Sequence, residues 1–501
     1  MSDGVASVRV RPGVYAVTAA LPTLEEGGEP VPDGAPGTGA LVVTSVSIAT
    51  VAEVDVNRDM ELTLDARAAQ PISAVVSGVD TFPTDVRLFL ATGDRAGNRF
   101  VLGYDTSAQD VIEGRLFIQP TEAVRHGTLE VSSKWRLHSA LGAGTYDLLL
   151  AGARFPEPLR LEVGPGELTR VETTYRATGA PTGYREARFV FTDLNPVSVA
   201  VAETVPAAAP LTRTEFLTGT RGQRWFQCVT LAVSGEGVGN FCQLQAEYRA
   251  GTTVERSWLR APLRTTAAAF RGGTTLQVAM SDMAESGAIS GSIASHALVN
   301  RSYTLHRDGV LIAEGSDPIG VHAVPPGPAT FRLTRTIEMR PGLMPLSTRV
   351  DTVWTFPSEP PREGRPAAEM PLPNLAVGLP VDGMNRVAAG VPLDMTVAVA
   401  GAAWLRMELS IDEGHTWSPV TLKRHGHDSF QGTVPAGALP TGTRVWLRVE
   451  AADRDGGHVL QTVRDAFGVA LDTPDPPPGE PLVRLAAASP PHVPAGQPAV
   501  Y

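Results

Sequence analysis

The chain has 501 residues, of which 50 are glycine, 42 are proline and 43% are hydrophobic; helix breakers at this density exclude a long helical bundle, while the apolar content is enough for several cores. Its 42 Lys and Arg against 53 Asp and Glu give a net charge of −11, which excludes the basic footprint of a nucleic-acid-binding protein. No apolar run reaches the roughly 20 residues of a membrane-spanning helix, and at about 150 residues per domain the length predicts roughly three or four domains.

At the N-terminus, Met1-Ser-Asp-Gly lacks the basic stretch of a secretory signal. From there the pattern is β. Val8–Arg11, Met60–Leu64, Leu159–Val163 and Leu405–Leu409 alternate apolar and polar residues, as half-buried strands do. Turn residues recur at Pro12-Gly13, Gly142-Ala-Gly144, Gly164-Pro-Gly166, Asp308-Gly309, Pro326-Gly327 and Asp455-Gly456. Many short strands with regular turns predict an all-β chain of consecutive β-sandwich domains, immunoglobulin-like or fibronectin-like, with a disordered C-terminal tail. The strand–helix alternation of a Rossmann or barrel enzyme is not seen.

Composition divides the chain into blocks. Residues 1–64 read as a first β-sandwich module, truncated to the last strands of a preceding unit, with a long loop over Gly27–Gly39. Residues 65–177 read as a second sandwich and 183–358 as a larger third. Residues 359–370 form a Pro/Glu-rich linker, 371–470 an immunoglobulin-like domain, and 471–501 a Pro/Ala-rich tail.

Few motifs carry chemistry. Serine hydrolases need a nucleophile elbow, and no Gly-x-Ser-x-Gly is found; Ser290-Gly-Ser292 lacks the glycine spacing. Gly235-Glu-Gly237-Val-Gly239 lies between strands, so it reads as a hairpin tip and not a phosphate cradle. It is flanked by the two cysteines, Cys228 and Cys242, which either bridge one hairpin or stay reduced. His425-Gly-His427-Asp428 could put two imidazoles on one strand face, but a third metal ligand is not evident. Asp453-Arg-Asp455-Gly456 is half of a calcium loop without its closing glutamate, and reads as a turn. The tryptophans at 135, 225, 258, 354, 404, 417 and 446 mostly fall inside alternating segments and read as core; a sugar-binding face has no positive signal. No metal or cofactor motif is recognised.

One motif is specific. Ser410-Ile-Asp412-Glu-Gly414-His-Thr416-Trp417 matches the Asp-box, Ser-x-Asp-x-Gly-x-Thr-Trp. Its aspartate caps backbone amides, its glycine relieves strain, and its tryptophan packs beneath, so it predicts a rigid hairpin turn. A hydrolase using Asp412, Glu413 or Asp428 would need those acids clustered in a cleft.

Several phrases in order resemble the C-terminal accessory region of large secreted subtilisin-like serine proteases of actinobacteria. Val10-Arg-Pro-Gly-Val-Tyr-Ala-Val is similar to that family's Val-x-x-Gly-x-Tyr strand. Leu62-Thr-Leu-Asp65-Ala-Arg67, Tyr248-Arg-Ala-Gly251 with Trp258, Tyr303-Thr-Leu-His-Arg-Asp-Gly309, Pro325–Leu333 and Trp354-Thr-Phe356 follow. Leu405–Trp417, Val449–Asp453 and Ala466-Phe-Gly468 resemble its last immunoglobulin-like module. His126-Gly127-Thr128 matches the tripeptide around that family's catalytic histidine, but the Asp-[Thr/Ser]-Gly and Gly-Thr-Ser-Met-Ala signatures are missing, and a strand pattern follows it. The resemblance therefore implies an extracellular, non-catalytic β region for folding, docking or attachment. Its implied partner is a subtilisin-like peptidase domain or a protein substrate. A carbohydrate- or wall-binding sandwich protein is the alternative.

Overall fold

In a computed structural model the described residues are 5–26, 41–106, 108–142, 144–177, 182–193, 195, 201–205, 209–243, 245–285, 288–362, 364–370 and 372–471. The Gly27–Gly39 loop and the tail from residue 472 lie outside them. Runs rich in Val, Thr and Ala open the chain, and β-branched residues favour the pleated conformation. Gly13–Glu26 pairs antiparallel with Leu41–Val56, Gly13 opposite Val56 and Glu26 opposite Leu41. The remainder is built the same way. Among the described residues there are seven sheets and a single short α-helix, Ala108–Ile112. The chain is all-β.

Strand partners cross the block boundaries drawn from composition. The ribbon of the first block shares its sheet with Leu116–Ile118 and Gln70–Pro71, and Ile48 lies in the apolar core of the second. Residues 1–64 are thus not a sandwich of their own. The seven-stranded sheet joins Thr81–Gly93, Arg99–Thr106, Thr128–Ser139, Thr145–Gly152 and Leu168–Tyr175 to Leu211–Thr218 and Thr253–Trp258, so the boundary at 177 falls inside it. Arg349–Ser358 pairs with His458–Val469 in a nine-stranded sheet, which carries the third block into the fourth. Proline and glycine mark where strands end; they do not say which strand comes alongside.

Two sequence-predicted strands are corrected. Val8–Arg11 and Met60–Leu64 are not in strands. Their apolar side chains, Val8, Val10, Met60 and Leu62, are exposed. Alternation supplies a face, but a strand also needs a neighbour to bond. Met60–Leu64 instead leads into a 3₁₀ turn at Ala66–Ala68, capped by Asp65, whose carboxylate accepts the Arg67 amide at 2.9 Å. Arg160–Val163 and Ala402–Ser410 do form strands at the other two sites.

The expected linker is also corrected. Ala368–Met370 pairs with Ala267–Arg271, and the following segment is pinned down along its length. The Asn374 side chain takes the Ala267 amide at 2.9 Å and donates to the Ala267 carbonyl at 2.9 Å, completing a missing strand neighbour. Asn385 does the same for the Ala261 amide and the Leu259 carbonyl at 3.0 and 2.9 Å. Arg260 donates to the Leu379 carbonyl at 2.8 Å, Arg176 to that of Val381 at 3.0 Å, and the Trp354 indole to that of Pro373 at 3.1 Å. One apolar core runs from Tyr175 to Val469, so the third and fourth blocks are one packed unit.

Candidate functional site

The strand Thr128–Ser139 is buried on both faces. Leu129, Val131, Trp135 and Leu137 enter the apolar core of the second block. The opposite face presents Lys134, Arg136 and His138, because successive side chains of a strand alternate. A second sheet lies on that face, and its strand Thr182–Phe191 contributes Glu186 and Arg188. Asp147, Thr173, Tyr175, Arg213 and Glu215 join them from neighbouring strands.

The result is a closed ion cluster. The Arg136 guanidinium donates to both Asp147 oxygens, from Nε at 2.8 Å and Nη2 at 2.9 Å, and its Nη1 reaches Glu203 at 3.0 Å. Arg188 Nη2 bridges Glu186 at 2.6 Å and Glu215 at 2.9 Å, and Nη1 pairs with Asp147. Tyr175 donates its hydroxyl to Glu186 at 2.7 Å, and Thr173 to Glu215 at 2.6 Å. Lys134, one of two lysines in the chain, donates Nζ to the Arg188 carbonyl. Lys134, Asp147, Glu186 and Glu215 are all 0% exposed.

Burial sets the protonation of the cluster. It brings the Lys134 ammonium down to about 7, because Asp147 offsets only part of the lost hydration. It pushes the Glu215 carboxyl up to about 7, with the nearby Glu186 charge adding to the rise. Burial opposes ionisation of Asp147 as well, but Arg136 and Arg188 outweigh it and hold that carboxyl low. An amine and a carboxyl both near neutrality would mark an acid–base pair if they faced a cleft. Here they face a second sheet, and the arrangement can join sheets but cannot meet a substrate.

The Asp-box residues come together as one turn. Asp412 Oδ1 accepts the Ser410 hydroxyl at 2.7 Å and the Thr416 amide at 2.9 Å, while Oδ2 accepts the Thr416 hydroxyl at 2.6 Å. These bonds, that from the Thr416 hydroxyl first, hold the Asp412 carboxyl at about 2. Gly414 has φ +86°, and a Cβ there would stand 2.9 Å from Trp446 Cζ3. The Trp417 indole donates to the Gly414 carbonyl at 3.0 Å. Asp412 is therefore committed to the backbone of its own turn, as Asp428 is in part through the Gly401 amide at 3.0 Å.

The other sequence candidates sit apart. Cys228 and Cys242 are directly opposite on adjacent strands and are joined by a disulfide, with Cα atoms 4.1 Å apart. The turn between them is only Ser234-Gly235, since Gly237 and Gly239 lie within a strand. His126 precedes a strand and pairs with Glu53 at 3.1 Å. His427 is exposed beside Asp428 at 2.7 Å, and Asp453 accepts the Asp455 and Gly457 amides. The Ser290 side chain lies outside the described set. Among the described residues no group of three His, Cys, Asp or Glu side chains could hold a metal ion, and no helix is long and apolar enough to cross a membrane. The apolar hollow lined by Ala177, Leu259, Leu263 and Met344 measures about 10 Å³, room for one water at most.

Sequence reading missed an exposed face. Trp135, Trp225, Trp258 and Trp354 are buried, but Trp404, Trp417 and Trp446 line the outer side of the strands Ala402–Ser410, Arg444–Asp453 and His458–Val469. Each carries an arginine: Arg406 over Trp404 at 5.2 Å, Arg448 over Trp417 at 3.9 Å, Arg464 over Trp446 at 5.0 Å. Trp404 is 38% exposed and lies 6.0 Å from the His458 ring, which bonds Glu450 at 2.9 Å. The signal was present as Trp404-x-Arg406 and Trp446-x-Arg448, which puts each pair on one face of its strand.

No protein-family model matches the sequence, and no curated protein matches it. Solved structures with some likeness include the fibronectin(III)-like modules of Clostridium thermocellum CbhA, at 12% identity over 40% of this chain and 88% of that one, TM-score 0.14. A tetra-tandem repeat from the extending region of a large adhesion protein matches at 15% identity over 77% and 94%, TM-score 0.14. The I9–I11 tandem of titin matches at 8% identity over 61% and 97%, TM-score 0.13. The all-β class of this chain rests on its own sheets.

Proposed function

We propose that the chain is a non-catalytic accessory and interaction region, related to the C-terminal β domains of secreted subtilisin-like serine proteases. The observation that carries this reading is the placement of its acid–base groups. The cluster whose protonation is most perturbed is sealed between two sheets, and Asp412 is spent on its own turn. Exposed sheet faces and sheet edges are open to partners, the surfaces on which β domains dock other chains. The ordered phrases from residue 8 to 470 support the link to the proteases. The disulfide supports an oxidising compartment, as an extracellular location requires. The test is steady-state cleavage of casein by the purified chain. No turnover is expected; cleavage abolished both by a serine-directed inhibitor and by replacing one serine would overturn the reading.

A second reading draws on the Trp404 face, where an aromatic ring, His458, Glu450 and Arg406 share one flat surface. Such a surface suits a sugar ring stacked on indole, with polar groups at its rim. Retention on insoluble polysaccharides, lost in Trp404→Ala, would favour it, and no retention on any of them would remove it.

A further inference from the structure

Among the described residues four arginines are no more than 1% exposed: Arg136, Arg188, Arg271 and Arg335. Three of them meet a carboxylate. Arg136 and Arg188 share Asp147, and Arg335 Nη2 donates to Asp282 at 2.6 Å. Arg271 differs. Its Nη1 donates to the Thr275 carbonyl at 3.1 Å and its Nη2 to that of Pro325 at 3.0 Å, while Nε has no acceptor among the described residues. Two carbonyls satisfy hydrogen bonds but supply no counter-charge, and a buried cation without one is costly.

The charge that acts on Arg271 has its own sign. Arg271 ends the strand Ala267–Arg271 opposite Leu276, which is fully buried. Arg307 ends the strand Leu298–Arg307 opposite Phe331, which is also fully buried. Directly opposed side chains share one face of a sheet, so both arginines point to the apolar core that Leu276 and Phe331 share. Burial draws the Arg271 guanidinium below its ordinary range, and the Arg307 charge lowers it further. Arg307 is paired with Asp308 at 3.6 Å, but that carboxylate is 57% exposed and already accepts the Thr330 amide at 2.9 Å. Arg307 Nε, like Arg271 Nε, makes no hydrogen bond among the described residues.

We propose that Arg271 and Arg307 together form a binding site for a phosphate group. A tetrahedral oxyanion has enough acceptor oxygens to take both Nε–H groups at once, and guanidinium is suited to such anions. Near neutral pH phosphate carries close to two negative charges, which matches two guanidinia where a carboxylate would match one. Access limits the size of the ligand. Arg271 is 0% exposed and the Arg307 side chain 16%, so the group enters past Arg307. It is either the free anion or the end of a monoester whose remainder stays outside.

Isothermal titration calorimetry of the full chain with inorganic phosphate tests this, with ionic strength held constant by chloride. One phosphate should bind per chain and saturate. Arg271→Met should abolish binding. Arg307→Gln, a change at a partly exposed side chain, should weaken it at least about tenfold, the loss of one hydrogen bond to a charged group. Arg332→Gln, at an exposed arginine on the outer face of Ala329–Met339, should bind as the wild type does. Glycerol 1-phosphate separates the two sources: binding at least as tight as that of inorganic phosphate assigns the site to a monoester, and weaker binding assigns it to the free anion. Should Arg271→Met not fold, Arg307→Gln decides. No saturable binding in the millimolar range, unchanged binding in Arg307→Gln, or equal weakening in Arg332→Gln would each overturn the proposal.

Discussion

Arginine–carboxylate pairs hold two regions of this molecule, and their surroundings differ. Around Arg188 the paired side chains are no more than 1% exposed; in the Arg448–Glu408 pair, at 3.4 Å, both are about a third exposed. In the first region the charges have lost their water, so each depends on the others for its whole stabilisation. In the second, water shares the task and the arginine also stacks on an indole. The same residue types thus lock two sheets together in one place and lie open to solvent in the other.

The largest expected effect follows from that dependence. Arg188→Met leaves Glu215, Glu186 and Asp147 buried without their shared cation. Removing one partner of a buried ionic group costs about 3–5 kcal/mol, and urea unfolding should register a loss of that size. A loss under about 1 kcal/mol would place the Arg188 pairs in the same class as the exposed ones and break the comparison.

A pH profile sharpens it next. Glu215 has its folded value near 7, above the ordinary 4.5, so the folded state holds an extra proton between those values. Its contribution is complete below about 4.5 and is lost as pH rises through about 7. Lys134 has its folded value near 7, below the ordinary 10.5. There the unfolded chain holds the extra proton, and stability recovers from about 7 to about 10.5. Burial pushes the Glu285 carboxyl up to about 7 as well, so unfolding free energy should pass through a minimum near neutrality, the acid limb sloping by at most about 2.7 kcal/mol per pH unit and the alkaline limb by at most about 1.4. Glu215→Gln should remove about half of the acid limb, leaving the share of Glu285, and Lys134→Met should flatten the alkaline one. A profile unchanged by both variants would mean that neither group titrates in the folded protein.

What was legible in the sequence was local. The Asp-box could be read because its bonds close within Ser410–Trp417, and the cysteine pair because one hairpin brings its members together. The all-β class followed from period-two alternation. The charge cluster was hidden by the same pattern: Lys134-Trp-Arg-Leu-His138 and Glu186-Ala-Arg188 look like half-exposed strands. Alternation says that a face is polar and is silent on whether a second sheet will cover it. Domain limits failed for a related reason, since the partners of Leu168–Tyr175 and Arg349–Ser358 are supplied by distant segments.

Salt gives the smallest expected effect and separates the two regions most cleanly. The coupling between Arg448 and Glu408, taken from a double-mutant cycle with alanine at each position, should be about 0.2–1 kcal/mol at low ionic strength. At about 1 M salt the screening length falls to about 3 Å, shorter than the 3.4 Å separation of the pair, and the coupling should fade. The stack of Arg448 on Trp417 should persist, because contact and polarisation over 3.9 Å leave little room for ions. The Arg448→Ala variant should then lose only part of its cost in salt. The cost of Arg188→Met should not change at all, since ions cannot enter between the two sheets. Equal salt dependence in both regions would mean that water reaches the Arg188 cluster, and that the seam between the sheets opens in solution.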